Sequence, residues 1–157
     1  MEYRRIIDVD IREFDRRTFE KTWDWLSDPE IKELTATPDL DREAREIWFR
    51  GLKDRKDYYI RSVWRDDDPI AVFGIKHITD SDGEAWGYIG EKKYWGKAIG
   101  IEMFQHLIDY AVSLNLQSLY IIFIKSNHFT YKIGKRFGFE VDENNSDSDT
   151  ITMRRHL

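Results

Sequence analysis

The sequence predicts an α/β domain built on a mixed, mostly antiparallel sheet, and three stretches carry that prediction. Tyr58 to Trp64 and Ile70 to Ile78 are runs of β-branched and aromatic residues. The short polar link Arg65-Asp66-Asp67-Asp68-Pro69 joins them, the pattern of an antiparallel pair. Met103, Phe104, Leu107, Ile108, Ala111 and Leu114 then form an apolar stripe at helical spacing between about Gly96 and Leu114. Leu119 to Ile124 is a six-residue apolar run, short enough for a strand and apolar enough to be buried on both faces. Strand, helix, strand implies a parallel crossover.

The remaining elements follow in chain order. Tyr3 to Ile7 reads as a short opening strand. Asp15 is placed to cap a helix carrying Phe19, Trp23 and Leu26 on one face. Asp28-Pro29-Glu30 starts another turn of helix, since proline suits the first helical position. Asp39 or Asp41 caps a third, with Ala44, Ile47, Trp48 and Leu52 at helical spacing. After the antiparallel pair, Asp80-Ser81-Asp82-Gly83 is a turn leading into a third strand, Glu84 to Gly90, which completes a meander. Beyond the crossover, Asn127 caps a helix that turns Phe129, Ile133 and Phe137 inward and ends at Gly138. Phe139 to Val141 and Thr150 to Met153 form a last strand pair around the acidic loop Asp142 to Asp149.

The chain has 157 residues, 41% of them hydrophobic, with no repeat, linker or low-complexity tract, which suits a single domain over residues 1–157. At that size roughly 70% of the unfolded surface can be buried, so a core needs no disulfide or metal. The absence of cysteine excludes disulfide scaffolds, thiolate zinc sites, iron–sulfur clusters and cysteine nucleophiles. A net charge of −5 argues against broad nucleic-acid binding, which needs a dense basic surface, but leaves room for a local basic patch. No window approaches about 18 apolar residues, and Met1-Glu2-Tyr3-Arg4-Arg5 runs on into further charge rather than an apolar signal segment. The expected location is the cytoplasm, away from membranes. Aromatic residues make up 15% of the chain, six of them tryptophan, an excess that asks for an explanation.

The most informative stretch is Glu91-Lys92-Lys93-Tyr94-Trp95-Gly96-Lys97-Ala98-Ile99-Gly100, between a predicted strand and a long amphipathic helix. Small residues at 96, 98 and 100 let backbone N–H groups converge on an anion, and the following helix directs its partial positive end at the same point. Lys92, Lys93 and Lys97 add positive charge, and a pyrophosphate suits the place. A Walker loop is excluded because Ile101-Glu102 follows Gly100, and the Gly-x-Gly-x-x-Gly dinucleotide spacing is not met. The alternative is an ordinary turn into a helix with solvated lysines.

Trp95-Gly96-Lys97-Ala98-Ile99-Gly100 resembles the acyl-CoA-binding motif of the GCN5-related N-acetyltransferase (GNAT) family, Arg/Gln-x-x-Gly-x-Gly/Ala, with Trp for Arg/Gln and Ala for the first Gly. Tyr-Trp-Gly-Lys is similar to the branch holding ribosomal-protein and nucleotide-sugar acetyltransferases. Asn127 after the strand, and Lys135-Arg136-Phe137-Gly138-Phe139, resemble the family's second signature. The resemblance covers nearly the whole chain. It implies helices on both faces of the sheet and a parallel strand pair, Glu84 to Gly90 and Leu119 to Ile124, that splays open around pantetheine. Backbone groups of Tyr88 and Ile89 would pair with the pantetheine amides, and Asn127 and Thr130 would meet the same arm. Lys93 to Ile101, with Tyr94 and Ile99 among them, would wrap the pyrophosphate.

The implied reaction is direct attack of a primary amine on acetyl-CoA, with no metal and no covalent enzyme intermediate, in keeping with the missing cysteine. The Ile89 N–H is the implied polariser of the acetyl carbonyl. A lysine-like amine is neutral in only about 1 in 2500 molecules at pH 7, so a strongly basic acceptor needs a base. His77 and Glu84 flank the turn beside the acceptor cleft and are the candidates, each alternatively a plain strand or turn residue. Many relatives carry a Tyr seven residues after the Asn; here Gly134 stands there, which leaves Tyr131, or Thr130 through water, as the substitute acid, or the thiolate to depart unprotonated. Trp23 to Ile31 and Glu46-Ile47-Trp48-Phe49 resemble the amino-terminal half of nucleotide-sugar N-acetyltransferases. The favoured acceptor is therefore an amino group of a nucleotide-linked deoxyamino sugar, its ring against aromatics and its diphosphate met by Lys or Arg of the early helices. A protein amino terminus, a polyamine, or acyl-CoA binding without catalysis are the alternatives. The protein is expected as a monomer or homodimer.

Overall fold

A computed structural model describes residues 7–157, so most of the strand expected at Tyr3 to Ile7 lies outside the described residues. The first described strand, β1 (Asp10–Glu13), comes directly before the helices. Asp15 caps α1 (Arg16–Trp25) by accepting from the Thr18 N–H at 2.9 Å, and Asp28 caps α2 (Pro29–Leu34) through the Glu30 and Ile31 N–H groups. Asp41 caps α3 (Arg42–Gly51); Asp39 instead pairs with Lys32.

The meander is β2 (Tyr59–Arg65), β3 (Asp68–Lys76) and β4 (Asp82–Ile89), all antiparallel. The β2–β3 link is tighter than its polar sequence suggests: Arg65 faces Asp68 across two residues, and Asp66 takes φ +54° to close the turn. Pro69 sits in β3 where the register slips between Val63 and Trp64, which spares the sheet the hydrogen bond proline cannot donate. Then come α4 (Ile99–Ser113), β5 (Ser118–Ile124), α5 (His128–Arg136), β6 (Glu140–Val141) and β7 (Thr150–His156). The seven strands among the described residues stand in the order β1-β2-β3-β4-β5-β7-β6, with β4 and β5 the parallel pair.

Side-chain alternation splits the core in two. Phe73, Ile75, Ala85, Leu119, Ile121 and Phe123 face α4, packing on Ile99, Met103, Leu107, Ile108 and Ala111. Val72, with Ile60, Trp86 and Tyr88 beside it, packs on Trp25, Leu26 and Ile31 of the early helices on the opposite face. Four helical faces and one strand differ from expectation: on α5 Phe129 is 60% exposed rather than turned inward, and on β5 Ile122 is 46% exposed, so that strand is not buried on both faces. On α1 the buried set is Thr18, Phe19, Thr22 and Trp25, while Trp23 lies on the flank with the Arg42 guanidinium 5.0 Å from its ring. On α3, Ile47 is 65% exposed and Ala44 is exposed too; the inward stripe is Arg45, Trp48 and Phe49. Leu114 becomes the exposed C-cap of α4 instead of extending its stripe. Among the described residues no helix is long and apolar enough to cross a membrane.

Candidate active site

The β4–β5 ladder pairs Asp82 with Ser118, Gly83 with Leu119 and Glu84 with Tyr120, and ends there, although β4 runs on to Ile89 and β5 to Ile124. The strands part, and a cavity of about 580 Å³ runs through the gap. It connects two chambers. One lies under the early helices, walled by Trp48, Tyr58, Trp86, Tyr88 and Arg45, and the other lies beside α4 and α5, walled by Gly96, Gly100, Met103, Asn127, Phe129 and Thr130.

The direction of the β4 backbone follows from one bond. The Gly90 N–H donates to Ile70 O at 2.9 Å, toward β3. Neighbouring residues of a strand turn their polar groups to opposite edges, so Ile89 faces the gap. Its carbonyl there accepts the Trp95 indole N–H at 2.9 Å. Tyr88, one residue earlier, turns its backbone to Val72 of β3, so that backbone does not face the gap as expected, and its side chain into the chamber under the early helices. Burial pushes the Tyr88 phenol up and pushes that of Tyr58 up to about 12.

The loop before α4 has the shape its small residues suggest. Gly96 takes φ +76° and Ala98 φ +63°, and Ala98 is the N-cap of α4 without any side-chain bond to its first N–H groups. Those N–H groups therefore face the loop unclaimed by a capping side chain, at the positive end of a 15-residue helix. Lys97 is exposed and has no side-chain partner among the described residues. Lys92 departs from expectation. Its ammonium is held by Asp28 at 2.9 Å and Glu30 at 2.8 Å, so it clasps α2 to the loop rather than joining the positive cluster. Lys93 is exposed, its ammonium 5.3 Å from the Tyr94 ring. These features fit a pyrophosphate at the loop and an extended arm in the strand gap: a helix start without a capping side chain, an exposed lysine and an open β4 edge.

Of the residues singled out from the sequence, Glu84, Tyr88, Ile89, Trp95, Gly96, Gly100, Asn127 and Thr130 line the cavity. Asn127 caps α5 by accepting from the Thr130 N–H at 3.1 Å. Tyr94 and Ile99 pack into the core, and Ala98 and Ile101 lie beside the loop without reaching the cavity wall. Two candidates lie elsewhere. His77 takes φ +54° just after β3, a left-handed turn that carries its ring out to solvent. Tyr131 is 38% exposed on α5 and is not part of the wall. Glu84 is only 9% exposed, at the last paired position of the splitting strands, with Lys76 at 3.6 Å. At Gly134 a side chain would meet Ile121 and Met153 at 3.1 and 3.2 Å, so α5 sits against the sheet where a larger residue would hold it away.

Arg45, Trp48, Tyr58 and Lys76 were not singled out as site residues. Their signal was nevertheless present for α3: Arg45, Trp48, Phe49 and Leu52 follow i, i+3, i+4, i+7, which puts one cation in an otherwise apolar stripe.

The family model described as acetyltransferase (GNAT) domain matches residues 8–140. Among solved structures, a domain from Methanocaldococcus jannaschii superposes with TM-score 0.82 at 18% identity, over 96% of this chain and 99% of its own. The Campylobacter jejuni N-acetyltransferase PseH superposes with TM-score 0.71 at 20% identity, over 95% and 98%, and has also been solved in complex with acetyl coenzyme A. The ribosomal-protein-S18-alanine N-acetyltransferase of Escherichia coli gives TM-score 0.71 at 13% identity, over 96% and 94%. No curated protein sequence matches this chain.

Proposed function

The chain belongs to the GNAT acetyltransferase family and is an acetyl-CoA-dependent N-acetyltransferase; we propose that its acceptor is the amino group of a nucleotide-linked deoxyamino sugar. One observation carries the reading: a single cavity joins the anion-shaped loop, the opened strand pair and an aromatic chamber with a buried carboxylate at the junction. Bound acetyl-CoA supplies an activated thioester, and the protein's own groups position it and prepare the amine. Gly96, Lys97, Ala98 and the first N–H groups of α4 hold the pyrophosphate, with Lys93 adding charge at the rim. Ile89 N–H and the Asn127 amide line the arm, and the Ile89 N–H polarises the acetyl carbonyl.

Glu84 takes the proton from the acceptor ammonium, directly or through one water, and the freed amine attacks. Lys76 keeps this carboxylate oriented. No phenol of α5 reaches the cavity wall, so the thiolate leaves unprotonated into water, and the second proton of the attacking nitrogen passes to water as the amide forms. Trp48, Tyr58, Trp86 and Tyr88 give a sugar ring flat apolar faces with polar tips. The whole of residues 1–157 acts as one domain on a small cytoplasmic amine.

The test is release of free CoA with a panel of amines. A nucleotide-linked amino sugar should accelerate release more than any peptide amino terminus or polyamine. A peptide or polyamine winning would replace the acceptor, and no acceleration by any amine would make this an acyl-CoA-binding domain without catalysis.

A further inference from the structure

Arg45 is the one guanidinium among the described residues that points into the acceptor chamber, and no carboxylate among them pairs with it. Its Nη2 donates to the Thr22 hydroxyl at 3.0 Å, and its Nε is buried without any partner. The guanidinium lies 4.7 Å from the Trp48 ring and 5.5 Å from that of Phe19. Burial lowers its pKa, which is the mark of a cation missing both water and a counter-ion. Nearby arginines are satisfied: Arg16 binds Glu46 and Arg42 binds Glu20 on the outer side of the same helices. The Trp86 indole N–H, also buried without a partner, lies 3.1 Å from where a side chain on Gly74 would begin. It is therefore tucked over β3; with Lys76 paired to Glu84, Arg45 is the cation without a carboxylate partner among the described residues that line this chamber.

We propose that Arg45 is an anion-binding subsite: the acceptor carries a phosphate or carboxylate that pairs with Arg45 while its amine is presented to Glu84. The inference rests on the acetyl-acceptor reading above and narrows it. The chamber offers a carboxylate for an ammonium and a guanidinium for an anion, so a substrate bearing both charges meets a complementary partner for each. A polycation such as a polyamine would set an ammonium beside Arg45. The planar guanidinium, stacked on Trp48 and steadied by Thr22, still has N–H groups to give in the fork geometry that oxyanions accept.

The experiment uses protein saturated with CoA, so that its own phosphate site is filled, and follows tryptophan fluorescence. Uridine diphosphate is compared with uridine, and N-acetylglycine with its amide. At least one charged probe should bind tenfold or more tighter than its neutral partner. That preference should fall below threefold in Arg45→Met and be partly kept in Arg45→Lys, with CoA affinity unaltered. Equal binding of charged and neutral probes by the unaltered protein overturns the subsite even where a variant fails to fold, as does a preference that survives intact in a folded Arg45→Met. A preference confined to N-acetylglycine keeps the subsite and overturns the nucleotide-linked acceptor. Tight uridine diphosphate binding without amine-stimulated CoA release keeps the subsite and overturns the transferase reading.

Discussion

Ala98 stands at φ +63° in the position where the family motif carries glycine, and the reason for that glycine is visible in the backbone. A left-handed conformation costs an L-residue roughly 1–2 kcal/mol, while glycine there would add about 0.5–1 kcal/mol of unfolded-state entropy to be lost. Ala98→Gly should therefore stabilise the fold by about 0.5–1 kcal/mol, a rise of about 2 °C in melting temperature. An unchanged or lower melting temperature would show that the Ala98 methyl is stabilised by its surroundings. Glu84 is the second residue whose setting makes a sharp forecast. Glu84→Gln keeps the side chain's shape beside Lys76 but removes the proposed base, so kcat at pH 7 should fall about a hundredfold. The loss should shrink as pH rises toward the acceptor amine's own pKa, because an amine that is already neutral needs no base. Lys76→Met gives the control: if it loses as much activity, with the same pH profile, the pair is acting structurally. Gly90 shows a different constraint, since a Cβ there would stand 1.9 Å from the Trp25 ring, whose N–H is fixed by Glu91.

Elements meet at the loop, and there the charges divide labour. Lys92 ties α2 to the loop through Asp28 and Glu30, and it holds the Asp28 carboxyl below its ordinary range. That clasp is fully formed above the ordinary carboxylate pKa and loosens as pH falls through the depressed value. Lys97 is the lysine we assign to the pyrophosphate. Lys97→Glu should raise the KM for acetyl-CoA about tenfold, equivalent to about 1.4 kcal/mol, with the melting temperature unaltered. Lys92→Glu should instead lower the melting temperature more than it changes that KM, and the reverse ranking would exchange the two roles. The sequence could show three lysines near one turn, but not that Asp28 and Glu30, some sixty residues earlier, would claim one of them. The elements themselves were legible because their signals are local. Asp15, Asp28, Asp41 and Asn127 all cap the helices they precede, and each strand of the meander has its apolar run. Faces were less legible where aromatic and charged residues share a stripe, as on α3, where Arg45 points inward and Ile47 outward.

At the scale of the whole molecule, the site exists because a sheet with cores on both faces comes apart between β4 and β5, joining the two sides through one cavity. The half beside α4 could be read from the loop motif. The acceptor half is assembled from α1, α2, α3 and three strands, and no single spacing in the sequence records that meeting. His77 shows the limit well: its position beside a turn suggested a base, but the left-handed backbone that closes β3 faces it outward. The aromatic excess resolves along the same division. Trp25 and Trp64 are core residues, whereas Trp48, Trp86 and Trp95 line the cavity. This arrangement buries phenols in the wall of the acceptor chamber, which gives the fold an alkaline limit. Burial raises the Tyr58 phenol to about 12, and Arg55 and Arg45 oppose that rise only in part. In the unfolded chain a tyrosine ionises near 10, so the folded form holds its proton more tightly. The stabilisation from the neutral phenol is complete below about pH 10 and is lost as pH rises through 12, at up to about 1.4 kcal/mol per pH unit. Denaturant unfolding followed from pH 9 to 11.5 should show stability falling with that sign. Tyr58→Phe, which cannot ionise, should flatten the fall, and adding Tyr88→Phe should flatten it further because burial raises that phenol too. A decline as steep in the double variant as in the unaltered protein would place the alkaline limit outside the acceptor chamber.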